Sequence, residues 1–229
     1  MKIAILGAMP EEILPFLEIL KNYEKIEFGK NFYYKAKFKN HELILAYSKI
    51  GKVNSALTAT ILCQKFGAEI LLFSGVAGAL EKNLKIGDLF FATSVVQHDL
   101  DISIFGHPFG FVPGGKVFVK SDENLNKIAQ QTAKNLNINL KSGIIASGDQ
   151  FICDENKKSW IKDTFDASVT EMEGASVGVV CDALNVPFFI LRAISDEAGH
   201  KAEFDFDKFV EETAKISANF MLKMVEKID

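Results

Sequence analysis

The fold class is indicated by a stretch that couples one helix to one strand, VNSALTATILCQKFGAEILLFSGVAG (residues 53–78). Its pattern predicts a helix over 53–66 that Gly67 ends, then a buried strand over 70–74 and a loop of small residues, 75–78. Short apolar strands and amphipathic helices alternate in this way along the whole chain. Such alternation predicts an α/β fold with a large mixed, mainly parallel twisted sheet and helices on both faces.

Length and composition limit the possible classes of protein. The 229 residues suit one sizeable domain or at most two small ones, and because no linker interrupts the pattern we expect one domain over 1–229. No apolar run is long enough to cross a bilayer, and no signal-peptide core begins the chain, so a cytoplasmic protein without a membrane partner is expected. The net charge of −4 comes without a basic stripe, which argues against nucleic acid as a partner.

The cysteines and cations exclude other kinds of site. Cys63, Cys153 and Cys181 form no CxxC pair or Cys/His cluster, so we expect buried free thiols and no metal site. Of 26 Lys plus Arg, only Arg192 is an arginine. Phosphate-binding enzymes often use the bidentate fork of arginine, so this scarcity weakens the case for a phosphate-using enzyme, although lysine also binds phosphate.

The ends of the strands are where a ligand is expected, because open α/β sheets bind ligands beyond the carboxyl ends of their strands. Four of the five such places carry carboxylates, which suggests acid–base chemistry on a small molecule. The five places are residues 7–12, 74–78, 147–152, 171–174 and 195–196.

Two carboxylates are candidates for catalysis, each with a structural alternative. Asp196 follows an apolar strand, where partial burial would raise its pKa and suit a general acid; it could equally be a cap or turn residue. Glu12 could orient and deprotonate water, or it could be a first-turn acid that complements the helix dipole.

Three further residues are candidates for binding. Glu171 and Glu173 share a face if their strand extends that far and could hold sugar hydroxyls, or they could be acids at a helix N-terminus. Phe151 could stack on a planar base or anchor its loop as an apolar plug. Residues 75–78 allow close backbone approach to a ligand, but they lack the GxGxxG dinucleotide fingerprint.

Five motifs, GAMPEE, SGVAG, SGDQF, EMEG and RAISD, together resemble one family, the 5′-methylthioadenosine/S-adenosylhomocysteine nucleosidases of the nucleoside phosphorylase-like superfamily. The resemblance implies hydrolysis of the N-glycosidic bond of 5′-methylthioadenosine, S-adenosylhomocysteine and 5′-deoxyadenosine, without a cofactor or metal. Some bacterial relatives also cleave 6-amino-6-deoxyfutalosine on a route to menaquinone.

The resemblance also implies roles for individual residues. Glu12 matches the acid that activates the attacking water, and Asp196 matches the acid that protonates the adenine, supported by Ser195. Glu173 matches the residue that binds the ribose 2′-hydroxyl, and Met172 packs under the sugar. The remaining implied substrate-binding positions are Met9, Ile50, Val76, Ala77, Gly78, Phe151, Ile152, Glu171, Arg192 and Phe206.

Family members are homodimers, so the resemblance predicts a dimer whose loop over 105–113 closes the neighbouring subunit's pocket through Phe105, His107 and Pro113. The chain departs from the family pattern at Val76, where many members have serine, and at His107, where others have an aromatic residue. Both departures fall on the ribose side of the expected pocket and bear on substrate preference.

Overall fold

The structure is a computed structural model that describes residues 1–196 and 206–228, without the side chains of residues 196 and 206–208. The described strands are β1 (Lys2–Gly7), β2 (Tyr23–Phe28), β3 (Asn31–Phe38), β4 (His41–Tyr47), β5 (Ile70–Ala79), β6 (Leu89–Gln97), β7 (Phe118–Lys120), β8 (Leu140–Ser147), β9 (Ala167–Glu171) and β10 (Phe188–Asp196). The helices are α1 (Pro10–Leu20), α2 (Lys52–Gln64), α3 (Glu123–Leu136), α4 (Glu155–Phe165), α5 (Gly174–Leu184) and α6 (Phe206–Val225).

The described strands form one mixed sheet in the order β10-β6-β8-β9-β5-β1-β4-β3-β2, with β7 on β6. Strand β5 pairs in parallel with β1 and with β10, and β8 pairs in parallel with β6 and β9. Antiparallel pairs join β2 to β3 and β3 to β4. Because β10 pairs with both β5 and β6, one half of the sheet curves back on itself.

Helices cover both faces of the sheet, as the sequence predicts. One apolar cluster joins the sheet to α2 and α5, and a second joins it to α1, α3 and α6. Fully buried residues such as Leu72 and Phe189 fill these layers, and each such side chain contributes roughly 1.5–3 kcal/mol when removed from water. The α/β fold class is therefore confirmed.

The segment 75–78 is not a loop, so that prediction was wrong. Strand β5 continues to Ala79, and residues 75–78 pair with β10 from Arg192 to Asp196. The small side chains suggested a loop, but pairing with β10 gives the backbone groups partners that no local pattern reveals. This extension matters because it brings the carboxyl ends of β5 and β10 together.

Other differences from the sequence predictions are local. Strands β2 and β7 were not predicted; β2 is a mostly exposed edge strand, and β7 has only three residues. Cys63 and Cys181 are buried, but Cys153 is exposed, so its predicted burial was wrong. Among the described residues, no helix is both long enough and apolar enough to span a membrane.

Candidate active site

A cavity of about 510 Å³ opens where β1, β5, β9 and β10 end. The ends meet because Gly78 pairs with both Thr170 of β9 and Asp196 of β10. The cavity is lined by Ala8, Met9, Glu12, Ile50, Gly75, Val76, Ala77, Gly78, Gln150, Phe151, Ile152, Thr170, Glu171, Met172, Glu173, Arg192 and Ser195.

The carboxylate of Glu12 is buried and held by the backbone that leads into α1. Its Oε2 accepts hydrogen bonds from the backbone N–H groups of Ala8 at 2.5 Å and Met9 at 2.9 Å. Burial raises the pKa of Glu12, while Arg192 and the backbone N–H groups lower it in part. Glu12 is thus a first-turn acid and also a cavity residue, so the structural alternative does not exclude the catalytic one.

Gly75 lets Glu12 and the single arginine approach the same point. A Cβ atom at Gly75 would lie 3.0 Å from Glu12 Oε1 and 3.0 Å from Arg192 Nη1. Such contacts are tighter than almost all Cβ contacts in proteins, so a side chain here would displace a neighbouring group by a few tenths of an ångström, and the close packing rather than a positive φ angle favours glycine. The oxygen of Glu12 that does not cap the helix therefore lies beside the guanidinium at the wall of the cavity.

Arg192 is fully buried and is balanced by Glu171. Its Nη2 and Nε donate to Glu171 Oε2 at 2.5 and 3.2 Å, and its guanidinium lies 4.0 Å from the centre of the Phe73 ring. Glu171 also accepts from the backbone N–H of Gly174 and from the hydroxyl of Ser147. Glu171 is thus largely saturated by protein donors and acts mainly to hold Arg192 and the start of α5.

Glu173 is a second buried carboxylate at the cavity whose pKa is raised. It is buried at the N-cap of α5, and its Oε1 accepts the backbone N–H of Gly51 at 2.8 Å. Burial, with the nearby charge of Glu171, raises the pKa of Glu173 to about 8. A largely protonated Glu173 at neutral pH can both donate to and accept from a hydroxyl group.

The segment Gln150–Ile152 forms an apolar wall of the cavity. Phe151 is 72% exposed, whereas Ile152 is buried against α4. So exposed an aromatic ring does not anchor its loop to the core. Of the two roles predicted for Phe151, this exposure favours stacking on a ligand over anchoring of the loop.

Most predicted site residues line this cavity. The exceptions within the described residues are Phe105, His107 and Pro113, which lie exposed on a separate segment: Phe105 ends the 3₁₀ turn Ser103–Phe105, and the other two follow it. The backbone of Asp196 ends β10 at Gly78, but its side chain and that of Phe206 lie outside the described residues.

Four lining residues were given no individual role by the sequence: Ala8, Gly75, Gln150 and Thr170. The first three lie inside the quoted motifs, and Thr170 directly precedes EMEG. Their position beside the named residues was the available signal. No group of three or more His, Cys, Asp or Glu side chains suited to a metal ion occurs in the described part of the chain.

A curved mixed sheet with a cavity at its strand ends, lined by three glutamates and a buried arginine, defines an α/β enzyme pocket for a small, partly apolar ligand. The chain belongs to the Phosphorylase superfamily, whose family profile matches residues 2–228.

Within this superfamily, the chain is similar to proteins that are named as nucleosidases. The chain is 66% identical to an aminodeoxyfutalosine nucleosidase of Campylobacter jejuni, over 100% of both chains. It is similar to the crystal structure of the 5′-methylthioadenosine/S-adenosyl homocysteine nucleosidase of Campylobacter jejuni, with a TM-score of 0.98, 65% identity and complete coverage of both chains. A 5′-methylthioadenosine/S-adenosylhomocysteine nucleosidase of Staphylococcus carnosus is 38% identical over 99% of this chain and 100% of the relative.

Proposed function

We propose that this protein is a nucleosidase, formed by a single domain over 1–229, that hydrolyses the N-glycosidic bond of adenine nucleosides modified at the 5′ position. Its substrates would be 6-amino-6-deoxyfutalosine, 5′-methylthioadenosine, S-adenosylhomocysteine and 5′-deoxyadenosine. The names of the relatives support this proposal. The observation that carries it is a single cavity that joins Glu12, Glu173 and Arg192 to the exposed ring of Phe151.

Glu12 would activate the water that attacks the anomeric carbon. Its Oε2 is occupied by two backbone N–H groups, whereas its Oε1 lies at the wall beside Gly75. A pKa raised by burial brings the carboxylate closer to the pH at which a general base is most effective. The two backbone donors fix the group, so no ordering is needed when water binds.

Asp196 would protonate the departing adenine, and such general acid catalysis contributes typically 10²–10⁴-fold. The proposal rests on the position of its backbone, which ends β10 opposite Gly78 at the cavity. Ser195, whose hydroxyl donates to the carbonyl of Ala77, would support the strand end that carries this acid. Phe151 would stack on the base, and backbone groups near Ile152 would pair with its edge.

Glu173 would bind the ribose 2′-hydroxyl, with Met172 under the sugar, and the nearby carboxylates would favour the positive charge that develops on the ribose. Met9, Ile50, Val76 and Phe206 would surround the ribose and its 5′ substituent. A pocket wall that combines these apolar residues suits a thioether or another weakly polar tail.

Phosphorolysis is the alternative reaction on this fold, and the charges around the cavity disfavour it. The buried cation at the described cavity lining, Arg192, is already paired with Glu171 and lies beside Glu12. A phosphate dianion at that position would meet carboxylates and no unpaired cation among the described lining residues. We therefore propose water, not phosphate, as the nucleophile.

We further propose that the protein is a cytoplasmic homodimer. Ile104 and Phe105 are 87% and 76% exposed, and Ile50 at the cavity mouth is 53% exposed. Large apolar side chains in such positions are typical of an interface, so the loop with His107 and Pro113 would cover the partner's pocket. The three free thiols are consistent with a reducing compartment.

Steady-state assays of free adenine with the four nucleosides test the proposal. We expect adenine and the free sugar from each good substrate, at a rate unchanged by added phosphate or by EDTA. Formation of a sugar 1-phosphate would establish phosphorolysis instead. Binding of the nucleosides without any adenine release would refute an enzymatic role.

A further inference from the structure

Three polar residues outside the cavity form a closed ring of hydrogen bonds between two segments that line it. Lys52 Nζ donates to Asp99 Oδ1 at 2.6 Å, Asp99 Oδ2 accepts the backbone N–H of Asp149 at 2.8 Å, and Asp149 Oδ1 accepts the backbone N–H of Lys52 at 2.7 Å. None of the three lines the cavity. We call them the Lys52–Asp99–Asp149 ring.

Each side of the ring continues directly into a binding segment. On one side, Gly51 precedes Lys52 and donates its N–H to the carboxylate of Glu173. On the other side, Asp149 precedes the apolar wall Gln150–Ile152. The ring is thus one polar connection between the groups proposed to hold the sugar and those proposed to hold the base, beside the hydrogen bond from the backbone N–H of Gly148 to the carbonyl of Glu171.

The packing leaves little freedom in this connection. The side chains of Lys52 and Asp99 are only 16% and 22% exposed, so their ion pair is partly shielded from water. A Cβ atom at Gly51, whose φ is +97°, would lie 3.1 Å from Asp149 Oδ1. The ammonium group and the Asp149 N–H lower the pKa of Asp99 despite its burial, so Asp99 remains ionised at neutral pH.

We infer that Lys52, Asp99 and Asp149 are positioning residues that fix the segment Gln150–Ile152 relative to Glu173. This inference rests on the proposed function for the identity of the ligand. A ligand that contacts both segments gains from their fixed separation, because no ordering is needed on binding. A ligand that contacts one segment gains much less.

The test compares a two-segment ligand with a one-segment ligand in matched variants. Lys52→Met and Asp149→Ala break the ring, whereas Lys52→Arg and Asp149→Asn keep a donor and an acceptor in place. Lys141→Met is the control, because it removes the Lys141–Asp88 pair, which has a similar length of 2.7 Å and similar exposure. Lys141 lies at the opposite end of β8 from Ser147.

We expect Lys52→Met and Asp149→Ala to raise KM for 5′-methylthioadenosine at least tenfold and to change the inhibition constant of adenine less than threefold. Lys52→Arg and Asp149→Asn should restore most of the affinity, and Lys141→Met should leave both constants unchanged. Equal loss of affinity for the nucleoside and for adenine, or a Lys52→Met enzyme that behaves like Lys141→Met, would overturn the inference.

Hydrogen–deuterium exchange separates this inference from the proposed function. In the ring-breaking variants, peptides that span residues 49–54 and 147–153 should exchange faster than in the unmodified chain, whereas Lys141→Met should not alter them. If the unmodified chain released no adenine, the proposed function would fail and these exchange rates would decide the inference alone. Unaltered exchange would overturn it.

Discussion

Replacement of Arg192 by methionine tests the buried charge pair that supports the site. The guanidinium is 1% exposed, donates twice to Glu171 and lies over Phe73. Methionine keeps much of the apolar stem but leaves the carboxylate of Glu171 without its cation. Loss of one partner of a buried pair costs about 3–5 kcal/mol. The donors from Gly174 and Ser147 remain, so we expect a loss of free energy of unfolding near the lower limit.

Urea and thermal unfolding at one fixed protein concentration measure this loss. For a chain of this length, 1 kcal/mol corresponds to about 2–4 °C in Tm, so about 3 kcal/mol predicts a decrease of about 6–12 °C. The double variant Arg192→Met/Glu171→Gln removes the charge together with its cation and should recover part of the stability, because the two sites are coupled. It should not recover activity.

Two results would refute this reasoning. A loss below about 1 kcal/mol in Arg192→Met would mean that the pair is solvated like a surface pair. If the double variant lost as much free energy of unfolding as the two single variants together, the two sites would not be coupled. Removal of the unpaired charge of Glu171 would then restore no stability.

Three further substitutions test other parts of the account. In Gly75→Ala the new Cβ would lie 3.0 Å from Glu12 Oε1, and the displaced carboxylate should lower kcat by about 10²-fold, since small misplacements have such effects; steady-state kinetics measure this. In Gly148→Ala the new Cβ would lie 2.4 Å from Nε2 of the buried His98, so the free energy of unfolding should fall by about 1–3 kcal/mol; urea titration measures this. In Glu173→Gln the stability should become less dependent on pH, as measured by urea titrations from pH 5 to 9.

The direction in which Glu173 makes stability depend on pH follows from its raised pKa. The folded protein keeps a proton at this site up to a pH of about 8, whereas the unfolded chain releases it near pH 4.3. The contribution of this group to the free energy of unfolding is therefore fully present below the pKa of the unfolded chain. It is lost as the pH rises towards 8, at up to about 1.4 kcal/mol per pH unit. Glu173→Gln lacks this loss, so it should gain stability relative to the unmodified chain as the pH rises.

Each of these predictions has a result that would contradict it. Parallel stability curves from pH 5 to 9 would show that Glu173 titrates normally. Full activity of Gly75→Ala would mean that the carboxylate of Glu12 moves without consequence. Unchanged stability of Gly148→Ala would show that the His98 imidazole has room to shift.

The sequence predicted much of the architecture because its elements are strongly patterned. The helix predicted over 53–66 corresponds to α2 (Lys52–Gln64), and the strand predicted from residue 70 begins at that residue. Strand β5 was cut short because glycine and alanine are rare in strands, and only its pairing with β10 compensates for their low propensity.

The cavity could be predicted only as a collection of strand ends. Local pattern places Glu12 at a helix start and Arg192 in a strand, but it does not state that both approach Gly75. The different roles of Glu171 and Glu173 also could not be predicted from the sequence. It depends on Arg192 and Gly51, which are distant in sequence, as the donors that select between the two carboxylates.

The central claim, that the carboxylate of Glu12 activates water inside this cavity, is tested most directly by Glu12→Gln. The amide oxygen can still accept the N–H groups of Ala8 and Met9, so the helix start should survive, but no base remains at the wall. Single-turnover release of adenine from 5′-methylthioadenosine, with nucleoside affinity measured in parallel, should show a decrease of at least 10²-fold at nearly unchanged affinity. Release at the rate of the unmodified chain would contradict the account.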